Sequence, residues 1–387
     1  MRITDVSAFP VNVPLKPIDE GGIAPYRTNH GMLYDMDRIL VRVETDAGIE
    51  GWGEVRVFLS PEATVSVIED GVGPLVTGQS PFEIEKLRRQ VFIEYTNANM
   101  FFAPVETACW DIIGKELGRP VSELLGGWTT PHQTNRQNRE QSKDGRQSNS
   151  VEFAYCLGIF SPEESRRHAE SALKEGYGVL KTKAGRDWKE DVERIRAMHD
   201  AVDGELEFRI DPNQGWTVED AVRVGAKLED SGIYLQYMEQ PIRVDSHGSL
   251  RQLRTRTRQP IAANEDTYIP RNLRTMIGED AIDVGVVDIT PAGGISGVRQ
   301  LANIAEDGGI SLAHHCAFDL GIRTAAILHT ASGLPGINLA SDTAYYGWET
   351  DVITDPFTID SGTISVPTEP GLGITVDMDT VDDYCIL

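Results

Sequence analysis

The sequence predicts an α/β protein in which an α+β domain precedes a (β/α) barrel of seven to eight units. Its 387 residues exceed one ordinary domain and leave room for a barrel of about 250 residues beside a smaller domain. The first third of the chain has no repeating unit, whereas the remainder alternates apolar strand segments with amphipathic helical segments. This alternation is typical of TIM-type barrels.

The N-terminal domain is predicted to span residues 1–127. Alternating apolar and polar residues indicate three strands, and helical periodicity indicates two helices. The strand segments are RITDVSAFPV, RILVRVETDAG and EGWGEV, and the helical segments are SPFEIEKLRRQVFIEYT and PVETACWDIIGKELG.

A polar insert follows at residues 129–150, TTPHQTNRQNREQSKDGRQSNS, and it has no apolar periodicity. We predict a long mobile loop there. Because the insert precedes the first barrel strand, we expect it at the bottom of the barrel, away from the chemistry.

The barrel is predicted to span residues 128–350, with amphipathic segments such as SPEESRRHAESALKEG between its strands. Residues 351–387 are rich in turns and are expected to return to the N-terminal domain. The predicted barrel strands are FAYCLGI, GVLKTKA, LEFRIDPN, LQYMEQP, PIAANED, DVGVVDIT, ISLAHHC and GINLASD.

The charge of the chain is strongly acidic, with 36 basic and 60 acidic residues and a net charge of −24. Such a surface disfavours nucleic acid and anionic membranes. We interpret it as adaptation to a salt-rich, halophilic cytoplasm, where screening relieves self-repulsion. Only nine of the 36 basic residues are lysine, so the two lysines of GVLKTKA are unusual in this chain.

The cysteines and the N-terminus bear on the cellular compartment. The four cysteines lie far apart and form no pair typical of a zinc site or a disulfide framework. The chain has no signal-peptide pattern and no run of 18 apolar residues. We therefore expect a soluble, cytoplasmic protein, and a homo-oligomer, with neither nucleic acid nor a membrane as partner.

Charged residues end the predicted barrel strands at intervals of 23 to 28 residues, the length of one β/α unit. Catalytic groups of such barrels lie at the carboxyl-terminal ends of the strands, so these side chains are expected to converge. In chain order they are Lys181 and Lys183, Asp211, Glu239, Glu265, Asp288 and His315.

The three acids Asp211, Glu239 and Glu265 form a predicted metal site. Three carboxylates on adjacent strand ends repel one another unless a cation joins them, and all-oxygen ligation is the preference of Mg²⁺. Each acid taken singly would also suit a helix cap or a solvated loop. The regular spacing of the set favours the metal.

Two predicted bases flank this metal site. Alternate residues of a strand share a face, so Lys181 and Lys183 both face the barrel interior, where a crowded cationic pair is expected to lower the pKa of at least one lysine. On the other side, Asp288 is expected to orient His315, while His314 points away. The alternatives are lysines that only neutralise the acids and a histidine that only packs.

These groups suit the abstraction of a proton next to a carboxylate. Such a carbon acid is weak, and abstraction becomes feasible when a divalent cation stabilises the resulting ene-diolate while an amine or imidazole takes the proton. A non-catalytic metal-binding barrel is the alternative from another class, and a binding module has no need for both bases.

Seven motifs occur in order along the chain: KTK, DPNQGW, MEQP, NED, VVDITPAGGISG, AHHCAFDLG and PGLGI. Together they resemble the mandelate racemase branch of the enolase superfamily over essentially the full length. The resemblance implies an α+β capping domain over the barrel mouth and Mg²⁺ on the three acids. It also implies Lys183 as one acid/base, the His315–Asp288 pair as the other, and Lys181 against the substrate carboxylate.

The sequence departs from related patterns at two strands. Asp288 stands where the muconate cycloisomerase branch has a lysine, which argues against that branch. The eighth strand carries Asp342 rather than a glutamate, so the electrophilic role at that strand is left unassigned.

Members of this branch share the proton abstraction and differ in the fate of the ene-diolate. We favour a lyase that dehydrates an acid sugar to a 2-keto-3-deoxy acid. A racemase or epimerase, or a lactone cycloisomerase, is the alternative. The partner is expected to be a small carboxylate, contacted by the loops at 21–31 and 55–62. Candidate contacts from these loops are Tyr26, Arg27 and His30, although polar loop residues are more often solvated. Asn213 and Asp342 are candidates from the barrel.

Overall fold

The computed structural model describes residues 1–96, 98–127 and 149–387. These residues form an N-terminal α+β domain and a nearly closed parallel barrel of eight strands. The predicted fold class is thereby confirmed, with eight strands in the barrel.

The N-terminal domain is built on an antiparallel sheet whose three strands, Ile3–Val11, Arg38–Thr45 and Glu50–Arg56, lie in sequence order. Its third strand packs against a long helix, and a Cβ atom at Gly53 would lie 1.9 Å from the carbonyl oxygen of Pro104 in that helix. Glycine therefore permits the close approach of the strand and the helix. Its helices are Pro61–Ser66, the π-helix Val67–Val72, Gly73–Val76, Ile84–Glu94, Asn99–Leu117 and Val121–Leu125.

The barrel strands follow one another around the ring, and the eighth pairs in parallel with the first. The seventh and eighth segments are joined by a single bridge between Leu312 and Ile337. Apolar residues cover both faces of most strands, as expected for a parallel sheet buried under helices. In order, the strands are Ser150–Leu157, Val179–Lys183, Glu207–Asp211, Tyr237–Glu239, Ile261–Ala263, Val284–Val287, Ser311–His314 and Ser341–Thr343.

Four of the eight barrel helices named below begin at a polar side chain that accepts a hydrogen bond from their first turn. The clearest case is Ser161, which forms a capping box with Glu164 and so satisfies two backbone N–H groups of the first turn. The helices of this part are Pro162–Lys174, Trp188–Ala201, Val218–Glu229, His247–Arg254, Pro270–Gly278, Ile289–Ala292, Ile295–Gly308 and Gly321–Gly333.

The polar insert predicted at 129–150 lies outside the described residues except at its end. Ser150 is the first residue of the first barrel strand, so the predicted loop extends one residue too far. Strand pairing at this point comes from Ser365, which the sequence pattern of the insert could not reveal.

The C-terminal segment contacts both parts of the molecule. Strand Thr363–Ser365 pairs antiparallel with the first barrel strand, and backbone bridges join Gly371 to Pro120 and Cys385 to Val11. Helix Met378–Asp383 in this segment was not predicted. The domain boundaries at 127 and 350 remain predictions.

Two buried glutamates of the N-terminal domain dock onto barrel helices. The Glu106 carboxylate accepts hydrogen bonds from the backbone N–H groups of Ile295 and Ser296, at 2.8 and 2.9 Å. The Glu54 carboxylate accepts from Leu320 and Arg323, at 2.9 and 2.8 Å. Both pairs of donors lie at helix N-termini, where a negative charge is favoured. Burial raises the pKa of Glu106 to about 7.

No helix in the described part of the chain is both long and apolar enough to cross a membrane.

The acidic charge leads to a prediction about salt. We expect the melting temperature to rise between low and molar KCl, because the Debye length falls from about 10 Å at 0.1 M to about 3 Å at 1 M. Thermal melts across this range, with sucrose as a non-ionic control, would measure the effect. A melting temperature that does not change with KCl would remove the halophilic interpretation.

Candidate active site

The charged residues predicted at the strand ends converge at one end of the barrel. Lys183, Asp211 and Glu239 are the last residues of the second, third and fourth strands. Asp288 and His315 directly follow the sixth and seventh strands. Glu265 begins a short 3₁₀ turn after the fifth strand, and Asp342 is the central residue of the eighth.

Lys181 lies within a cluster of acids. Its Nζ is 2.7 Å from both carboxylate oxygens of Glu239, 2.6 Å from Asp342 Oδ2 and 3.4 Å from Asp211 Oδ2. Burial alone would lower the pKa of Lys181, but the charges of Asp342, Glu239 and Asp211 raise it well above its usual value. The predicted lowering of a lysine pKa by its cationic neighbour is thus wrong for Lys181, because three acids outweigh one lysine.

Lys183 makes a separate contact. Its Nζ lies 2.5 Å from Asp211 Oδ2, and its side chain is 12% exposed. Burial would raise the pKa of Asp211, yet the Lys183 and Lys181 charges hold it well below its usual value. The two lysines of GVLKTKA therefore share Asp211, and only Lys181 also pairs with Glu239 and Asp342.

Glu265 differs from the other two predicted metal ligands. Its Oε1 accepts a hydrogen bond from Gln214 at 2.9 Å, whereas its Oε2 is buried without a hydrogen-bond partner among the described residues. A buried, unpaired carboxylate oxygen is costly unless a cation or donor satisfies it. The chemistry of this oxygen and of the neighbouring acids fits a hard divalent cation.

The acids do not by themselves form a ligand cage. In residues 1–96, 98–127 and 149–387, no group of three or more His, Cys, Asp and Glu side chains is arranged as a metal site. The Lys181 ammonium group contacts both Asp211 and Glu239, and the Lys183 ammonium group contacts Asp211. Burial raises the pKa of Glu239 to about 7, with Asp211 and Asp342 adding to the rise and Lys181 opposing it.

His315 and Asp288 form a hydrogen-bonded pair. His315 Nδ1 is 3.0 Å from Asp288 Oδ2, while Asp288 Oδ1 accepts from Arg323 Nη2 at 2.7 Å and from Thr290 N at 2.8 Å. Burial would raise the pKa of Asp288, but Arg323 and His315 hold it well below its usual value. The pairing of His315 Nδ1 leaves Nε2 as the ring nitrogen for the cavity.

The neighbouring His314 is a core residue. Its Nε2 lies 2.8 Å from the Thr330 hydroxyl, and burial lowers its pKa to about 3. As predicted, only one of the two histidines reaches the cavity.

A cavity of about 470 Å³ lies between the barrel end and the N-terminal domain. From the barrel it is lined by Lys181, Lys183, Asn213, His315 and Asp342, and by the loop after His315. From the N-terminal domain it is lined by Tyr26, Thr28, His30, Gly31, Met32, Leu33, Met36 and Arg56. A larger cavity, of about 620 Å³, lies beside residues 345–361 and contains none of the strand-end groups.

One predicted substrate contact is misplaced and others were missed. Arg27 does not line the cavity, because its guanidinium lies 5.8 Å from the ring centre of Phe160. Arg56 does line it and lies in the predicted loop at 55–62, but no motif marked it. The apolar wall of Met32, Leu33 and Met36 was missed as well, since the strand Met32–Leu33, which pairs with Tyr26–Arg27, is too short to show a periodic pattern.

Asp342 is paired on both sides. Besides Lys181, it accepts a hydrogen bond from Arg209 Nη1 at 3.0 Å. Burial would raise the pKa of Asp342, but Lys181 and Arg209 lower it, so the group is an ionised acceptor. An ionised carboxylate cannot donate a hydrogen bond to a developing oxyanion, and Asp342 therefore does not suit the electrophilic role at the eighth strand.

Comparison with known proteins gives matches along nearly the whole chain. Residues 15–126 match the N-terminal domain of the mandelate racemase / muconate lactonizing enzyme family, and residues 164–380 match the enolase C-terminal domain-like family. The L-Ala-D/L-Glu epimerase of Bacillus subtilis is 28% identical over 97% of this chain and 97% of its own. The arabinonate dehydratase of Saccharolobus solfataricus is 26% identical over 91% of each chain.

A solved structure shows the same fold. The dipeptide epimerase of Enterococcus faecalis, complexed with Mg and the dipeptide L-Leu-L-Tyr, is 25% identical, with a TM-score of 0.86 over 97% of this chain and 100% of the other. The family matches cover both the N-terminal domain and most of the barrel. The chain belongs to the enolase superfamily, in its mandelate racemase branch.

Proposed function

We propose that the protein abstracts the α-proton of a small carboxylate between two bases, and that the reaction is dehydration of an acid sugar to a 2-keto-3-deoxy acid. The supporting observation is that Lys183 and His315 line one cavity from the second and seventh strands. A proton removed on one side of a bound substrate can thus be returned, or donated to a leaving group, on the other.

The metal assignment rests on the superfamily and on the donor set. Members of the enolase superfamily are Mg²⁺-dependent, and the three acids Asp211, Glu239 and Glu265 would hold the ion here. Three carboxylates, one with an unpaired buried oxygen, suit Mg²⁺. Bound Mg²⁺ would supply positive charge that stabilises the ene-diolate form of the substrate.

The protein's own residues divide the proton transfers. Lys183 Nζ takes the α-proton on its side of the substrate. His315 Nε2 takes or gives a proton on the other side, and in its protonated form it can donate to a departing β-hydroxyl group. Asp288 holds the imidazole through Nδ1, so that the same ring nitrogen always faces the substrate.

Epimerisation is the second candidate, and one feature of the cavity favours it. Its N-terminal wall includes the apolar side chains of Met32, Leu33 and Met36, while a polyhydroxylated acid would need many polar partners. Relatives are named both as epimerases and as a dehydratase. The position of Asp288, where a cycloisomerase would be expected to have a lysine, still disfavours lactone formation.

A panel of acids would separate these reactions. The Mg²⁺-supplemented protein is incubated in D₂O with acid sugars, dipeptides and N-acyl amino acids, and NMR follows α-deuterium while a keto-acid assay follows product. We expect 2-keto-3-deoxy product from at least one acid sugar. If α-deuterium appears with inversion of configuration and no keto acid is formed, the proposed reaction would be epimerisation rather than dehydration. The absence of any α-exchange across the panel would contradict proton abstraction itself.

A further inference from the structure

A buried network of charges extends from the His315–Asp288 pair into the N-terminal domain. We call it the buried charge network, and it consists of Asp288, Arg323, Asp319, Arg38 and Glu54. Each member is at most 5% exposed. None of the motifs that mark the strand ends contains Arg38 or Glu54, and Arg323 lies on the helix Gly321–Gly333.

Contacts join the network without a gap. Arg323 bridges two acids, with Nη2 at 2.7 Å from Asp288 Oδ1 and Nη1 at 3.1 Å from Asp319 Oδ1. Arg38 joins Asp319 at 3.3 Å and Glu54 at 2.8 Å. Glu54 returns to Arg323 by accepting its backbone N–H, so both the side chain and the main chain of Arg323 are held.

The network also holds the cavity loop that follows His315. Arg38 Nη1 donates to the carbonyl of Ala317 at 2.8 Å, and Asp319 Oδ2 accepts from Ala317 N at 3.2 Å. The next residue, Phe318, has a φ of 59°, which is unfavourable for a bulky side chain. Such a conformation persists only where the surroundings enforce it.

The charges of the network are unbalanced without the histidine. Two arginines face three carboxylates, and a protonated His315 would bring the sum to zero. Unpaired buried charge is expensive, so the excess of one carboxylate favours a proton on His315 Nδ1, from which the imidazole donates to Asp288 Oδ2.

We propose that Arg323 is a positioning residue for His315, and that the Arg38–Glu54 pair lets the N-terminal domain set the position of the His315–Asp288 pair. Arg323 touches no cavity surface. Arg323 holds Oδ1 of Asp288 in place. The orientation of the carboxylate is thereby fixed, and with it the direction from which Oδ2 accepts the hydrogen bond of the imidazole. This inference rests on the proposed role of His315 as a base.

The test uses two readouts on the full-length protein. One is α-proton exchange in D₂O, measured separately for the two α-epimers of a confirmed substrate, one facing His315 and the other Lys183. The second is the tautomer of His315, read from long-range ¹H–¹⁵N NMR of protein with labelled histidine and assigned with His315→Asn. This readout requires no substrate.

We expect Arg323→Met to slow exchange on the His315 side by about 100-fold, the loss typical of a misplaced catalytic group, and to remove the preference for a proton on Nδ1. Exchange on the Lys183 side should stay within about threefold. Arg323→Lys should recover part of the loss. Asp319→Asn, which keeps its shape, replaces Arg323→Met if that variant does not fold. Arg254→Met is the control, since Arg254 also bridges two acids, Asp280 and Asp283, but does not line the cavity.

The outcomes are distinguishable. Equal loss on both sides with an unchanged His315 tautomer would overturn the inference, because it indicates general damage. Unchanged exchange and tautomer would overturn it too. If wild-type protein exchanges no α-proton but Arg323→Met still changes the tautomer, the proposed function fails and the positioning role stands.

Discussion

Replacing Lys183 by alanine is expected to stop turnover of any substrate that needs both bases, while exchange of the α-proton facing His315 continues. A general acid or base typically increases the reaction rate by about 10²- to 10⁴-fold, so the rate of exchange of the α-proton that faces Lys183 should fall by a factor in that range. The reason is geometric, since Lys183 and His315 reach the cavity from different strands. His315→Asn should show the reverse pattern, with exchange retained only for the epimer that faces Lys183.

The measurement is NMR detection of α-deuterium for both epimers with each variant. Lys189→Ala is the matched control, because Lys189 is exposed on the following helix and should leave both rates unchanged. Near-normal turnover by Lys183→Ala would refute the lysine base.

Lys181→Ala should behave differently from Lys183→Ala and His315→Asn, since removal of Lys181 leaves Glu239 and Asp342 buried without their shared cation. We expect it to weaken transition-state stabilisation by roughly 2–4 kcal/mol and to destabilise the fold as well.

Removal of divalent metal is expected to abolish turnover, and Mg²⁺ is expected to restore it. The two lysines at the strand ends cannot replace the metal charge, because Lys181 and Lys183 already pair with the carboxylates. Binding of Mg²⁺ to the folded state should also raise the melting temperature, by the equivalent of about 2.7 kcal/mol at one hundred times the dissociation constant.

Chelation followed by metal analysis and thermal melts with added Mg²⁺ would test this expectation. Glu265→Gln should reduce the Mg²⁺-induced shift, since it removes the charge from the carboxylate whose Oε2 has no partner among the described residues. Glu279→Gln, at an exposed position, is the control. Full activity with metal analysis confirming that no divalent ion remains would contradict the assignment of the three acids.

The sequence predicted the barrel and the convergence of charged strand ends because both depend on simple regularities. One β/α unit has a nearly constant length, and alternate strand residues share a face, so spacing alone brings Lys183, Asp211 and Glu239 together. The pairing of Asp288 with His315 arises in the same way from adjacent parallel strands.

The features that escaped prediction depend on contacts between distant segments. Arg56 and Arg27 are both arginines near predicted loops, and only the approach of the N-terminal domain decides which one lines the cavity. Arg38 and Arg323 have the sequence context of ordinary surface charges but are buried. Acids from distant parts of the chain neutralise them, and Asp319 of the barrel pairs with Arg38 of the N-terminal domain as well as with Arg323. Lys181 is not the lysine with a lowered pKa for a similar reason, since the prediction counted the neighbouring lysine but not the acids around Lys181.

The glutamates that dock the N-terminal domain bear on the order of events during protein synthesis. Glu54 and Glu106 leave the ribosome long before the helices that begin at Gly321 and Ile295, whose first N–H groups they accept. N-terminal domains generally fold first during synthesis. When the last third of the barrel is synthesised, the folded N-terminal domain therefore already presents the two carboxylates that cap its helices. A permuted chain that makes the N-terminal domain last would leave those helix starts without partners while the barrel forms.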